Sequence, residues 1–207
     1  MSDTQVPAAP PESVGTRDEE RLKPCRDFID RLKALDKGEL AMLRRNSGLI
    51  WPEARGVAWF FRLLDAEGRG RDMECFFLIA TLYASTPERL RHPKQPAPRS
   101  FAGTLAQVGL RPNTSAEAVE RRFRILLDAE FDRIVQGFAG GEMAFRLRQS
   151  VKLAAAKEVS IDWPRLLDDL RRWTHPEKRV QRQWAQDFYA PPPPIPVAPQ
   201  ANAPSPL

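Results

Sequence analysis

Between Arg146 and Lys157 the chain carries four cations, Arg146, Arg148, Lys152 and Lys157, and no acid. Side chains of this type at near-helical spacing bind anions and do not transfer groups. A guanidinium meets phosphate oxygens two at a time, which an ammonium cannot do. The same residue types recur at Arg44-Arg45, at Arg121, Arg122 and Arg124, at Arg171-Arg172, and at Lys178, Arg179 and Arg182. Of the 32 cationic residues 25 are Arg, a bias that a GC-rich genome would also produce. One such cluster is ordinarily a solvated helix face. Several in a chain of net charge +5 point toward a phosphate backbone as partner.

No constellation suits catalysis. Asp168 and Asp169 are adjacent on a helix, so their side chains diverge, and Arg171 and Arg172 lie one turn on; ion pairing on the helix surface is the expectation. His175 reads as a turn residue before Pro176, and His92 falls in a Pro-rich stretch. Gly68-Arg69-Gly70 is a turn, not a phosphate loop. Cys25 and Cys75 form neither a disulfide framework nor, with two histidines in the chain, a metal site. Cys75 sits in an apolar run and reads as a buried thiol. No cofactor and no metal are expected. The N-terminus lacks a signal-peptide pattern, and no apolar run approaches the roughly 20 residues of a membrane span, so a soluble, cytoplasmic protein is expected.

The elements that must position these cations are helices. No segment alternates with period two, so the fold class is all-α, a two-lobed helical bundle without a sheet. The first helix is expected from about Pro24 to Leu35, with Phe28, Ile29, Leu32 and Leu35 inward. Asp36 and Glu39 form a capping box for a short helix that ends in Arg44-Arg45, with Gly48 as its stop. A third helix begins at Pro52 and buries Val57, Phe60, Phe61 and Leu64. Asp72 to Ala84 is apolar nearly all round and should be the central helix. Ser100 caps the next. Thr114 and Glu117 cap a long one that runs to about Gly137 with Val119, Phe123, Leu126, Leu127 and Ile134 on its stripe. The basic helix spans about Glu142 to Ala156. Asp162 and Pro164 launch another that ends at Trp173. The last starts at Pro176 and carries Val180, Trp184 and Phe188. The aromatics Phe123, Phe145, Trp163, Trp173 and Trp184 fit core stripes, so backbone electrostatics are expected to outweigh base stacking.

The organisation that follows is a disordered tail over 1–21, an N-terminal lobe over 22–85, a Pro-rich linker over 86–99, a C-terminal lobe over 100–190, and a Pro-rich tail over 191–207. The last holds eight prolines and no charged side chain and reads as solvated.

Several ordered pieces together resemble CasB, the small subunit of the type I-E CRISPR surveillance complex Cascade. They are Gly38-Glu39-Leu40-Ala41 leading to Arg44-Arg45, Phe60-Phe61-Arg62-Leu63, the apolar helix around Phe77, Glu120-Arg121-Arg122, Phe145-Arg146-Leu147-Arg148, Asp162-Trp163-Pro164 running to Trp173, and Gln183 to Phe188. The chain departs from that pattern in its Pro-rich tails and at Thr174-His175-Pro176. The resemblance implies a non-catalytic subunit whose partners are the backbone filament and large subunit of Cascade, a second copy of itself, guide RNA, and target and non-target DNA, with no membrane. It implies that Arg44, Arg45, Arg146 and Arg148 contact nucleic acid, with Arg121, Arg122, Lys178 and Arg179 as further matches; Arg124 and Lys152 are candidates from the basic clusters themselves. A free-standing helical DNA-binding regulator is the alternative. It would need a polar recognition helix, and Leu153 and Ala154 to Ala156 occupy the positions where base-reading residues would be useful.

Overall fold

Short-range side-chain caps set the starts of four of the described helices. In the computed structural model, residues 14–190 are described except 50, 66–67, 71, 94–95 and 132–140. Asp36 Oδ1 accepts from Glu39 N at 2.7 Å and Asp36 N donates to Glu39 Oε2 at 3.3 Å, the expected reciprocal box. It opens α2 (Lys37–Arg45), after α1 (Val14–Lys33). Next come α3 (Met73–Ser85), the single turn α4 (Glu88–Arg91), and α5 (Phe101–Gly109), capped by Ser100 Oγ on Gly103 N. Then follow α6 (Ala116–Asp128), α7 (Gly141–Ala156), α8 (Trp163–Arg171) and α9 (Arg179–Tyr189). Among the described residues there is no strand, so the fold is an all-α helical bundle. No described helix is long and apolar enough to cross a membrane.

Five boundaries differ from the sequence reading. First, α1 begins at Val14, ten residues before Pro24, so residues 14–21 are helical rather than disordered. Leu22 and Cys25 extend the buried stripe of Phe28, Ile29 and Leu32 backward. Arg21 Nε reaches Asp168 Oδ2 at 3.0 Å on α8, a partner 147 positions away that no local pattern announces. The rest of the expected N-terminal tail, 1–13, lies outside the described residues.

Second, the helix expected from Pro52 is two 3₁₀ turns, Trp51–Glu53 and Ala58–Leu63. The buried Asn46 clamps the break. Its Oδ1 accepts from Arg55 N at 2.9 Å and its Nδ2 donates to Arg55 O at 3.1 Å, replacing the bonds a helix would have made. Phe60 is buried, but Phe61 is 38% exposed and meets Trp51 edge to face.

Third, Ser115, not Thr114, caps α6, its Oγ accepting from Ala118 N. Fourth, α6 stops at Asp128 instead of continuing to Gly137, and Ile134 lies outside the described residues. Fifth, Pro176 and the expected start of the last helix belong to a turn. α9 begins at Arg179 behind Lys178, whose φ is +47°.

Buried residues from both sides of the Pro-rich stretch belong to one cluster. At one end Phe28, Phe60, Phe76 and Phe77 pack edge to face around α1 and α3. At the other, Phe101, Trp173 and Trp184 gather between α5, α9 and the end of α8, while Phe123 stacks on Phe188 at 4.0 Å. Tyr83 and Trp163 join the two at 5.5 Å. α8 packs on α1 and α3 although it comes late in the chain. Within the Pro-rich stretch Leu90 is buried.

Candidate nucleic-acid interface

α7 is held by Met143, Ala144, Leu147, Val151 and Ala154, all buried against α3, α5 and α6. That stripe decides where its cations go. Arg146 and Arg148 are two positions apart, about 200° around a helix, so a single buried face sends them to opposite sides. Arg148 and Lys152, one turn apart, stay together.

On the first side α7 meets the ends of α2 and α3. A cleft of about 380 Å³ is lined by Arg148, Lys152, Arg89, Ser47, Ser85 and Thr86 among others. Gly48 makes room for the arginine. Its φ is +79°, and a Cβ placed there would stand 2.5 Å from Arg148 Cδ. Arg148 Nε is buried without a hydrogen-bond partner. No carboxylate among the described residues lies within ion-pair distance of Arg148 or Lys152; Arg89, by contrast, pairs with Glu158 at 2.7 Å. Arg44 Nε donates to Ala84 O at 3.1 Å, at the end of α3 beside Ser85. Arg44 is thereby tied to the end of α3, although it does not line the cleft itself. Arg45 is exposed next to it on α2.

On the second side α7 meets α6. Arg122, Ile125, Phe145, Arg146, Gln149 and Ser150 line a cleft of about 260 Å³. Arg146 is partly occupied: Glu142 Oε1 lies 3.4 Å from its Nη2, and its guanidinium lies 5.6 Å from the Phe145 ring centre. Phe145, placed on a core stripe from the sequence, is only partly buried.

The structure thus brings Arg148 together with Lys152, and Arg146 to Arg122, but does not gather Arg146, Arg148 and Lys152 on one face. Arg121 and Arg124 are exposed on α6 outside both clefts, Arg124 near enough to Tyr189 to act on it electrostatically. Lys178 and Arg179 stand at the start of α9, which packs on α5 and α6. Arg179 is paired with Glu177 at 2.6 Å, and that contact holds the Glu177 carboxyl below its usual range. Arg89 is a cation that sequence reasoning missed. It lies in the Pro-rich stretch, and its only signal was its place four residues after Ser85.

The arginines of α8 have a different fate. Arg171 Nε meets Asp72 Oδ2 at 2.8 Å and its guanidinium lies 5.5 Å from the Phe76 ring centre. Arg172 Nη2 reaches Asp168 Oδ2 at 2.6 Å and Asp169 Oδ1 at 3.1 Å. Asp168 is 3% exposed and also receives Arg21. Asp169 accepts from Trp184 Nε1 at 2.7 Å, and burial pushes its carboxyl up to about 6. The expected pairs one turn along the helix form, with Arg172 as partner, but the carboxylates are largely buried and also fasten α8 to α1 and α9. A cleft of about 450 Å³ beside them, lined by Asp72, Arg171, Arg172 and His175, has its arginines already engaged. His175 Nδ1 accepts from Glu177 N, as befits a turn residue. Cys25 and Cys75 are buried and unbridged, and burial raises the Cys75 thiol to about 12. No group of three or more potential metal ligands occurs among the described residues.

Comparison with known proteins agrees with this architecture. A profile of the CRISPR-associated protein Cse2 family matches residues 39–189. The chain is 36% identical over 176 residues to a CRISPR-associated protein Cse2 from Thermus thermophilus, covering 81% of this chain and 91% of that one. Among solved structures it resembles CasB from M. ruber, with 29% identity, a TM-score of 0.62, and coverage of 80% of this chain and 92% of that one. It also resembles a Cse2-family protein from Thermus thermophilus, with 34% identity, a TM-score of 0.59, and 80% and 97% coverage. A chain of a CRISPR RNA-guided surveillance complex shares the fold at 23% identity and a TM-score of 0.64, over 81% of this chain and 92% of that one.

Proposed function

Because the chain belongs to the CRISPR-associated Cse2 family, we propose that it is a non-catalytic, nucleic-acid-binding subunit of a type I-E Cascade. It works in the cytoplasm beside the backbone filament and the large subunit, with a second copy of itself. Its basic clefts hold the phosphate backbones of target and displaced DNA, and of guide RNA where the strands run together. Arg148 and Lys152 supply the observation that carries this reading. They share a cleft, and no carboxylate among the described residues neutralises them.

The energetics suit so small a device. Exchanging a DNA duplex for a guide–target heteroduplex is nearly balanced, so a few phosphate contacts on the displaced strand are enough to tip it. Each contact releases close to one counterion, and holding the freed strand slows reannealing. Arg44, fixed by the Ala84 carbonyl, and Arg148, fixed by Gly48 and the α7 core, are cations whose positions are set before the strand arrives.

The test is R-loop formation by Cascade reconstituted with the Arg148→Ala, Lys152→Ala double variant. Loss of two phosphate contacts should lower affinity about tenfold at moderate salt and reduce the salt slope by about 1.4 for a single strand. Unchanged affinity and slope, with assembly intact, would refute this reading.

A further inference from the structure

A fourth concave surface lies between α5 and the end of α9; it is mostly apolar, with Arg99, Glu120 and Asp187 among its lining residues. It runs along one face of α5, where Gly103, Ala106 and Leu110 fall at helical spacing, and is walled by Phe188, Tyr189 and Ala190 at the end of α9. Its volume is about 530 Å³. Leu110 is 71% exposed and Tyr189 57%, the two most exposed large apolar side chains among the described residues. Tyr189 is nonetheless fixed, its hydroxyl donating to Glu120 Oε1 at 2.9 Å. A rigid aromatic beside a shallow floor of small residues is the surface on which proline rings dock, because a polyproline helix arrives already ordered.

We propose that this groove receives the chain's own Pro-rich C-terminal segment, residues 191–207. Continuity argues for that occupant. Ala190 lines the groove, and the next residue is Pro191. Ala190 itself has φ −61° and ψ 142°, polyproline geometry, at the point where the segment begins. Length agrees as well. The floor from Gly103 to Leu110 spans about 10 Å of helix, and Pro191 to Pro194 at about 3.1 Å each cover some 12 Å. The segment carries no charged side chain, in keeping with an apolar seat. Docking covers Leu110 and Tyr189, which the bundle leaves in water. The proposal does not depend on what the basic clefts bind.

The test places a photo-reactive p-benzoylphenylalanine at position 110 of the full chain, a site where added bulk meets solvent. After irradiation and proteolysis, the expected product joins position 110 to the peptide containing residues 191–207 within one chain of monomer mass. Replacing Pro191 to Pro194 together by serine keeps the tether but removes the rings and the stiffness, and should cut that yield about fivefold. A link to a second copy, or no link to the tail, overturns the proposal. So does a yield that survives the serine replacement, which would mark mere proximity along the chain.

Discussion

α7 and α8 are neighbours in sequence and both are amphipathic helices studded with arginine, yet they use their cations oppositely. On α8, Arg165 pairs with Asp162, Arg171 with Asp72, and Arg172 with Asp168 and Asp169. On α7, Arg146 has one loose contact with Glu142, while Arg148 and Lys152 have no carboxylate partner among the described residues. The difference lies in what each helix packs against. α8 lies on α1 and α3, and the carboxylates of Asp72 and of its own Asp168 and Asp169 are within reach there. α7 turns its apolar stripe to α3, α5 and α6 and leaves Arg148 and Lys152 facing a cleft whose lining holds no acid. A count of arginines would weigh the two helices equally. Only α7 retains charge for a partner.

Four substitutions probe this contrast, in descending order of expected effect. Asp168→Ala removes a buried carboxylate from two arginines and should cost about 3 kcal/mol of unfolding free energy. Because those arginines belong to the fastening, the salt slope of DNA binding should stay where it is; a slope that changes in the folded variant would erase the distinction.

Gly48→Ala attacks the α7 side through the backbone. A methyl group at φ +79°, pressed against Arg148 Cδ, should cost about 2 kcal/mol in chemical denaturation. It should also weaken DNA binding as much as losing Arg148 does. Stability lost with affinity kept would mean that Arg148 moves aside harmlessly.

Asp169→Asn tests the α8 side by pH. The folded-state pKa is raised from 3.8 to about 6 by burial, so the native state binds the proton more tightly than the unfolded chain. The cost of the buried charge is therefore full above about pH 6 and fades as pH falls toward 4. Wild type should gain roughly 2 kcal/mol from this group between pH 7 and pH 4.5. The Asn variant, whose amide oxygen still accepts from Trp184, should lack that gain. Parallel denaturation midpoints for the two proteins across this range would remove Asp169 from the account.

Smallest is Glu142→Gln, which frees Arg146. DNA affinity should rise about twofold at low salt, with no gain at high salt. A fall in affinity would mean that Glu142 positions Arg146 instead of competing for it.

The all-α class and most helix boundaries were legible in the sequence because their causes are local. The Asp36–Glu39 box, the Ser100 cap and the Asp162 cap each act within three residues and stand as read. What escaped the reading depends on distant groups. Leu22 is a core residue because α8 lies over it. Residues 51–64 form turns because Asn46 captures the backbone of Arg55. Asp168 looks like a surface acid until Arg21 arrives from the far end of the chain. The candidate site was legible in composition and not in arrangement. Which cations lie on α7 was plain, but that Arg146 and Arg148 face different clefts required knowing which stripe of α7 is buried. The apolar groove beside α5 left no trace in the sequence, since Leu110 and Tyr189 have nothing in their spacing to mark them as neighbours.

The Arg21–Asp168 bridge also bears on the order of synthesis. The first turns of α1 leave the ribosome well before the acid that fastens them, which is made 147 residues later. At about 5–20 residues per second, the N-terminal helix waits some seconds for its anchor. Leu22 and Cys25 face water or a chaperone for that interval, and the bundle closes over α1 only once α8 has been made.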